Sequence, residues 1–412
     1  MNGVIGFSGS TPQYGVFSPS HNNILLILPS QETVIAKDYE CVKDHVIYSN
    51  QVGMYLCKDT LSHREIMEHT IIKGVHLYNY SFERQYEAVS HLELFSGNER
   101  IVNPVRILGA NDIKYSFGLE YETACGMIPE HICFRDGLIP LRDGSITGVE
   151  YSSIVLKKEN GVNLIKQEVE TLKEYTEFNK ECALHMHLGG YPVRGSFVMT
   201  LYSLLYLLQE DFKRHCNEWI YNTSQYKASR KDYCKKLPGF DSFRELYETF
   251  VGVKWANTLR KPHPSDISRD HKWNVSTRYY SVNFINMLCY ESPKTIEFRF
   301  LRPTFNFTKI YTWLLTFSAI LKTAEEWTAK YGALNISAAA KVCCKEMKLS
   351  EYPNMTLEVI AKYALPEDVS KVVVDCLMKL RMSSRQQKTI GDYIGINTSY
   401  EDKLLDPNAY LL

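Results

Sequence analysis

Over the first hundred residues the apolar positions fall in short β-branched runs separated by turn-forming residues. NILLILP (23–29), ETVIA (32–36) and HVIYSN (45–50) each read as a strand bounded by Pro, Asn, Asp or Ser. One helix is predicted beside them at SHREIMEHTIIK (62–73), where a Ser cap precedes helical spacing. From about residue 112 the texture changes. KYSFGLEYET (114–123) and GVEYSSIVL (148–156) predict strands, and VNLIKQEVETLKEYTEF (162–178) carries its apolar residues at helical spacing. CALHMHLGG (182–190) is an apolar strand closing on a glycine pair. A helix of about eight turns is then predicted from near Ser196, with Phe197, Leu201, Leu204, Leu205, Leu208 and Phe212 on one stripe. Residues 222–272 are polar and basic and predict loops. RYYSVNFINML (278–288) and KTIEFRFLRPT (294–304) return to strand character, Pro303 stopping the second, and an amphipathic helix follows over about 308–331. Beyond 333, ISAAAKVCCKEMK, MTLEVIAKYA, PEDVSKVVVDCLMKLRMSS and RQQKTIGDYI predict short helices.

This pattern divides the chain into a β-rich accessory segment (1–105), a mixed central domain (106–332) and a small helical domain (333–412). Composition narrows the function classes. Apolar residues make up 45% and charged residues 23%, ordinary values for a globular protein. Lys+Arg and Asp+Glu are 47 each, so no global field draws the chain to nucleic acid or to an anionic membrane. The longest apolar run, FVMTLYSLLYLL (197–208), is too short to span a bilayer. The opening MNGVIGFSGSTPQ lacks the basic and apolar regions of a signal peptide. Eleven cysteines without a CxxC pair suit reduced thiols better than a disulfide framework or a zinc site. The expectation is a soluble, cytoplasmic protein.

Side chains two apart on a strand share a face, and three predicted strands each place an uncommon pair that way. They are Glu120 with Glu122, His185 with His187, and Glu297 with Arg299; between the first two pairs lie Asp143 at a turn and Glu150 at a strand start. Each pair alone has an ordinary explanation. An ExE strand is commonly the wet face of an antiparallel sheet, an HxH strand a structural pair, and ExR a cross-strand ion pair. Their company argues otherwise, because the intervening Tyr121, Met186 and Phe298 suit a buried opposite face. Carboxylates that face one another need cations, and a hard Mg²⁺ prefers oxygen ligands with an occasional imidazole. Competing motifs fit poorly. An adenosine-deaminase-like barrel needs its HxH strand near the domain start, and a cupin needs a Glu soon after HxH, where this chain has GGYPVRG. Neither a P-loop nor a Rossmann fingerprint is present.

Taken in order, GLEYE, DGSITGVEYSS, CALHMHLGG and TIEFRFLRPTFN resemble the amidoligases of the carboxylate–amine ligase type found in phages and bacteria. These belong to the wider glutamine synthetase and γ-glutamylcysteine ligase superfamily. The resemblance covers about 112–332. It implies an α+β fold whose curled antiparallel sheet forms a catalytic cup with flanking helices. The implied activity is ATP-dependent amide-bond formation through an acyl phosphate, with Mg²⁺ or Mn²⁺ as cofactor and an amino acid, peptide or protein as substrate. By the same resemblance one metal lies between Glu120, His185 and Glu297, and a second near Glu122 and Glu150, with Asp143 serving as a ligand or as a turn residue. His187 lies near the nucleotide phosphates, and Arg299 neutralises the transferring phosphoryl. Odd spacing from Arg299 points Arg302 to the other face unless a bulge intervenes. In the basic aromatic segment (Lys227, Arg230, Lys235, Lys236, Arg260, Lys261, Arg278, Tyr280), Arg278 is the favoured nucleotide or acid contact. A phosphotransferase resembling guanidino kinases is one alternative. A non-catalytic phage structural or interaction protein is the other. Homo-oligomerisation or association with a phage particle is compatible with either.

Overall fold

The structure is a computed structural model that describes residues 14–18, 23–27, 33–36, 46–49, 54–57, 104–141, 146, 148–179, 182–216, 234–251, 279–288 and 295–390. The helix expected at 62–73 lies outside them. The chain divides into two compact units, one of residues 1–77 with 127–133 and the other of 78–126 with 134–412.

In the first unit the β-branched runs form strands β1 (Tyr14–Ser18), β2 (Asn23–Ile27), β3 (Thr33–Ala36), β4 (Val46–Ser49) and β5 (Met54–Cys57). They pair antiparallel in the order β3-β2-β1-β5-β4.

The second unit is built on an open antiparallel sheet. Its strands are β6 (Ser116–Glu122), β8 (Leu138–Leu141), β9 (Glu150–Ser153), β10 (Leu156–Lys157), β12 (Leu184–Gly189), β13 (Val282–Asn283) and β14 (Ile296–Leu301). The order is β13-β14-β12-β6-β9-β8, with β10 also on β6, while β7 (Cys125–Gly126) and β11 (Thr176–Glu177) pair separately. Helix α1 (Glu130–Arg135) begins in the residues assigned to the first unit, and the second unit's helices are α2 (Lys158–Tyr175), α3 (Gly195–His215), α4 (Phe243–Val251), α5 (Ile285–Leu288) and α6 (Phe307–Tyr331). The observed class is therefore α+β with an antiparallel sheet.

Period-two alternation decides which face of this sheet is dry. Tyr121, Met186 and Phe298 are each at most 2% exposed and point away from Glu120, His185 and Glu297. The dry face meets α3 and α6. Phe298 stacks on Phe317 at 3.7 Å between ring centroids, and Phe300 meets Phe212 at 4.6 Å. Helix α6 is buried on every side over Phe307–Leu321, as suits a helix enclosed by protein rather than one lying at the surface. Asn306 caps it by accepting from the Lys309 N–H at 3.0 Å. The chain can turn sharply after β12 because Gly190 takes a φ of 82°, which costs a glycine little.

Two expectations change here. Helix α3 ends after 21 residues, about six turns rather than eight. The strand expected over 278–288 is shorter: among the described residues 279–288 only Val282–Asn283 forms a strand before helix α5 begins. The Asn283 side chain accepts the Ile285 N–H at 2.9 Å, a local bond that competes with continuing the strand.

The helices beyond 333 are α7 (Ile336–Glu346), α8 (Leu357–Ala364) and α9 (Glu367–Ile390), and they belong to this same unit. No helix among the described residues is long and apolar enough to cross a membrane.

Candidate functional site

Strand order alone brings the three sequence pairs together. Strand β12 lies between β6 and β14, with His185 opposite Glu120 and His187 opposite Glu297. On the other side of β6, Glu122 is opposite Glu150 of β9. Six acid or imidazole groups thus share one face of the sheet.

The His185 Nδ1 lies 2.9 Å from Glu120 Oε2 and 3.7 Å from Glu297 Oε1, and its Nε2 is 3.8 Å from Glu122 Oε1. His187 Nε2 is 3.1 Å from Glu120 Oε1, and its Nδ1 faces the Thr295 hydroxyl at 3.4 Å. Arg299 pairs with Glu297 through Nη1, and its guanidinium lies 6.0 Å from the centre of the Tyr279 ring. Glu122 is anchored by the Ala183 N–H, which donates to its Oε2 at 2.7 Å. Ligand atoms of Glu120, His185 and Glu297 lie within 4.8 Å of one another, as do those of Glu122, Glu150 and His185. Apart from Glu120, these groups are at most 7% exposed.

Electrostatics keep Glu120 and Glu297 charged. Burial pushes the Glu120 carboxyl up, but the charge of His187 and hydrogen bonds from His185 and His187 hold it well below the usual range. Burial likewise opposes ionisation of Glu297, and the adjacent Arg299, then His187, outweigh it. His187 gains in return: burial lowers its pKa, and Glu120 and Glu297 together more than offset this, so it is raised. Arg299 is raised as well, since Glu297, Glu120 and Glu122 overcome its desolvation. The result is a pair of carboxylates, Glu120 and Glu297, held ionised by the cationic and hydrogen-bonding groups beside them.

Glu120, Glu122, Glu150, His185, His187, Glu297 and Arg299 therefore meet at one place. Arg302 lies one residue past the end of β14 and is half-buried. A register irregularity in the β12–β14 pairing falls between Leu184 and Met186, opposite the Arg299–Phe300 stretch. Asp143 and Arg278 lie outside the described residues, as do Lys227, Arg230, Arg260 and Lys261. Lys235 and Tyr280 form a parallel bridge, and Lys236 pairs with Glu210.

Sequence reasoning missed Asn283, which is buried on β13 opposite Glu297 and donates to its Oε2 at 2.7 Å. The two asparagines of SVNFINML, Asn283 and Asn286, give no periodic signal. A third carboxylate–imidazole group, Asp211, His215 and Glu358, joins α3 to α8. There His215 Nδ1 faces the Asp211 carbonyl at 2.8 Å and Nε2 faces Glu358 at 3.1 Å, while Asp211 accepts the Leu357 N–H at 2.8 Å. Burial opposes ionisation of Glu358, but hydrogen bonding and charge from His215 bring it down to about 2. These bonds account for the group as a joint between helices.

Neither a protein-family profile nor a curated protein matches the chain.

Proposed function

We propose that the chain is an ATP- and Mg²⁺-dependent carboxylate–amine ligase that forms an amide bond through an acyl phosphate, on a sheet curled into a glutamine-synthetase-like cup. One observation carries this reading: Glu120, His185 and Glu297 converge from three adjacent strands, with Glu122 and Glu150 alongside. Buried oxygen donors with one imidazole suit a hard divalent cation, Mg²⁺ or Mn²⁺, better than a soft one.

Such a cation supplies charge neutralisation and orientation to the phosphates of ATP. The residues of the chain divide the remaining work. Glu120, His185 and Glu297 hold one cation, and Glu122 and Glu150 a second, with Asp143 assigned to the same group. His187, whose pKa Glu120 and Glu297 raise, faces the phosphates. Arg299 places a permanent charge where negative charge develops on the transferring phosphoryl group. Arg278 is assigned to the nucleotide or the acid, and Arg302 to catalysis beside Arg299 and His187. The substrates are a carboxylate and an amine from amino acids, peptides or proteins, and the setting is cytoplasmic or associated with a phage particle.

The experiment is a screen for ADP and phosphate release against pools of carboxylates and amines. Release of both with a new amide supports the ligase. ADP with a stable phosphorylated acceptor points to a phosphotransferase. No turnover with any pool, together with no cation binding, leaves a scaffold.

A further inference from the structure

We infer that Asn283 is a positioning residue for Glu297, setting which carboxylate oxygen is offered to a divalent cation; this rests on the cation-site reading above. Strand β13 is only two residues long, yet it places Asn283 directly opposite Glu297 on β14. Directly opposed residues in an antiparallel pair have neighbouring side chains. Asn283 is 6% exposed, and both ends of its amide are used. Its Oδ1 accepts the Ile285 N–H at 2.9 Å, so its Nδ2 is turned to Glu297 Oε2, 2.7 Å away. A carboxylate oxygen could not take that place, because it has no proton to donate.

The consequence lies on the other oxygen. With Oε2 held by Asn283, Oε1 is the atom facing Arg299 and, at 3.7 Å, His185 Nδ1. That is the side on which Glu120 and His185 converge. The amide is neutral, so it fixes the carboxylate without cancelling the charge that a cation needs. A lysine in the same place would orient Glu297 and neutralise it together. Hydrogen-bond partners of metal ligands commonly act in this way, and their loss weakens cation affinity roughly 10–100-fold.

The test uses the full chain and Mn²⁺ alone, read by the paramagnetic resonance of free Mn²⁺, with melting measured in parallel. Asn283→Ala should lower Mn²⁺ affinity about tenfold or more. Val282→Ala, the adjacent buried residue on the same short strand, should lower the melting temperature and leave the affinity within twofold of wild type. Added to Glu297→Gln, Asn283→Ala should cause no further loss, because it acts through that carboxylate. If Asn283→Ala does not fold, Asn283→Ser, which leaves a smaller hole and keeps an oxygen for the Ile285 N–H, should show the same loss. Wild-type binding with Asn283→Ala or Asn283→Ser within twofold of it overturns this inference alone. A loss as large in Val282→Ala also overturns it, since the effect is then only structural. A wild-type chain that binds no Mn²⁺ overturns the cation site and this inference with it.

Discussion

Glu297→Gln and Arg299→Lys, made separately, distinguish a cation site from a structural ion pair. Glutamine keeps the size of Glu297 and can still accept the Asn283 bond, but it removes the charge facing Arg299 and His185. Removing one partner of a buried pair typically costs about 3–5 kcal/mol. Arg299 also feels Glu120 and Glu122, so its charge is not stranded and the cost falls at or just below the bottom of that range, about 2–3 kcal/mol. A cost of that size lowers the melting temperature of a unit this large by roughly 4–12 °C. A charge-bearing ligand is lost as well, and about 1.4 kcal/mol is tenfold in affinity, so Mn²⁺ affinity should fall tenfold or more. Lysine at 299 keeps the charge and loses the planar fork. Cation affinity should then persist, while ADP release slows by on the order of a hundredfold. Melting by calorimetry, Mn²⁺ binding and ADP release on both variants supply the data. Two variants that melt lower yet match wild type in cation affinity and in turnover per folded molecule would refute the reasoning and leave an ordinary ion pair.

Two predictions concern the supports of the site. Glu168 is buried on α2, and its Oε2 accepts the Tyr121 hydroxyl at 2.9 Å. Burial raises its pKa well above the ordinary carboxylate value despite that bond, and Asp136 adds to the rise. A carboxyl raised in the folded state contributes stability below its unfolded value, roughly 4.3, and loses it as the pH climbs toward the folded value. Glu168→Gln should therefore lose less stability than wild type between pH 5 and pH 8, measured as urea midpoints; equal losses contradict the assignment. Asp211→Ala removes the acceptor of the buried Leu357 N–H and should cost about 1–3 kcal/mol, with faster amide hydrogen exchange over 357–364. Unchanged exchange there would mean that α8 is held by other contacts.

Much of the candidate site was readable from the sequence because strand side chains alternate with period two. GLEYE, LHMHL and TIEFR each announced a polar pair over a bulky neighbour, and Tyr121, Met186 and Phe298 do lie on the dry face. Register was not readable. That His185 faces Glu120 while His187 faces Glu297 follows from strand order, which periodicity does not encode. Asn283 was invisible for a related reason: its role comes from a two-residue strand and a bond to Glu297, fourteen positions away. The Glu168–Tyr121 bond joins a helix to a strand 47 residues earlier and gives no local signal either. At the C-terminus, PEDVSKVVVDCLMKLRMSS and RQQKTI fuse into α9, since no Gly or Pro separates them.

The most direct test of the central claim is the affinity of the chain for ATP, measured by titration calorimetry in the presence of Mg²⁺ and again with the cation removed by chelator. Carboxylates held ionised at Glu120 and Glu297 would repel the phosphates of ATP without a cation between them. The account therefore predicts binding with Mg²⁺ and none that can be measured without it, whereas equal affinity in both conditions would contradict it.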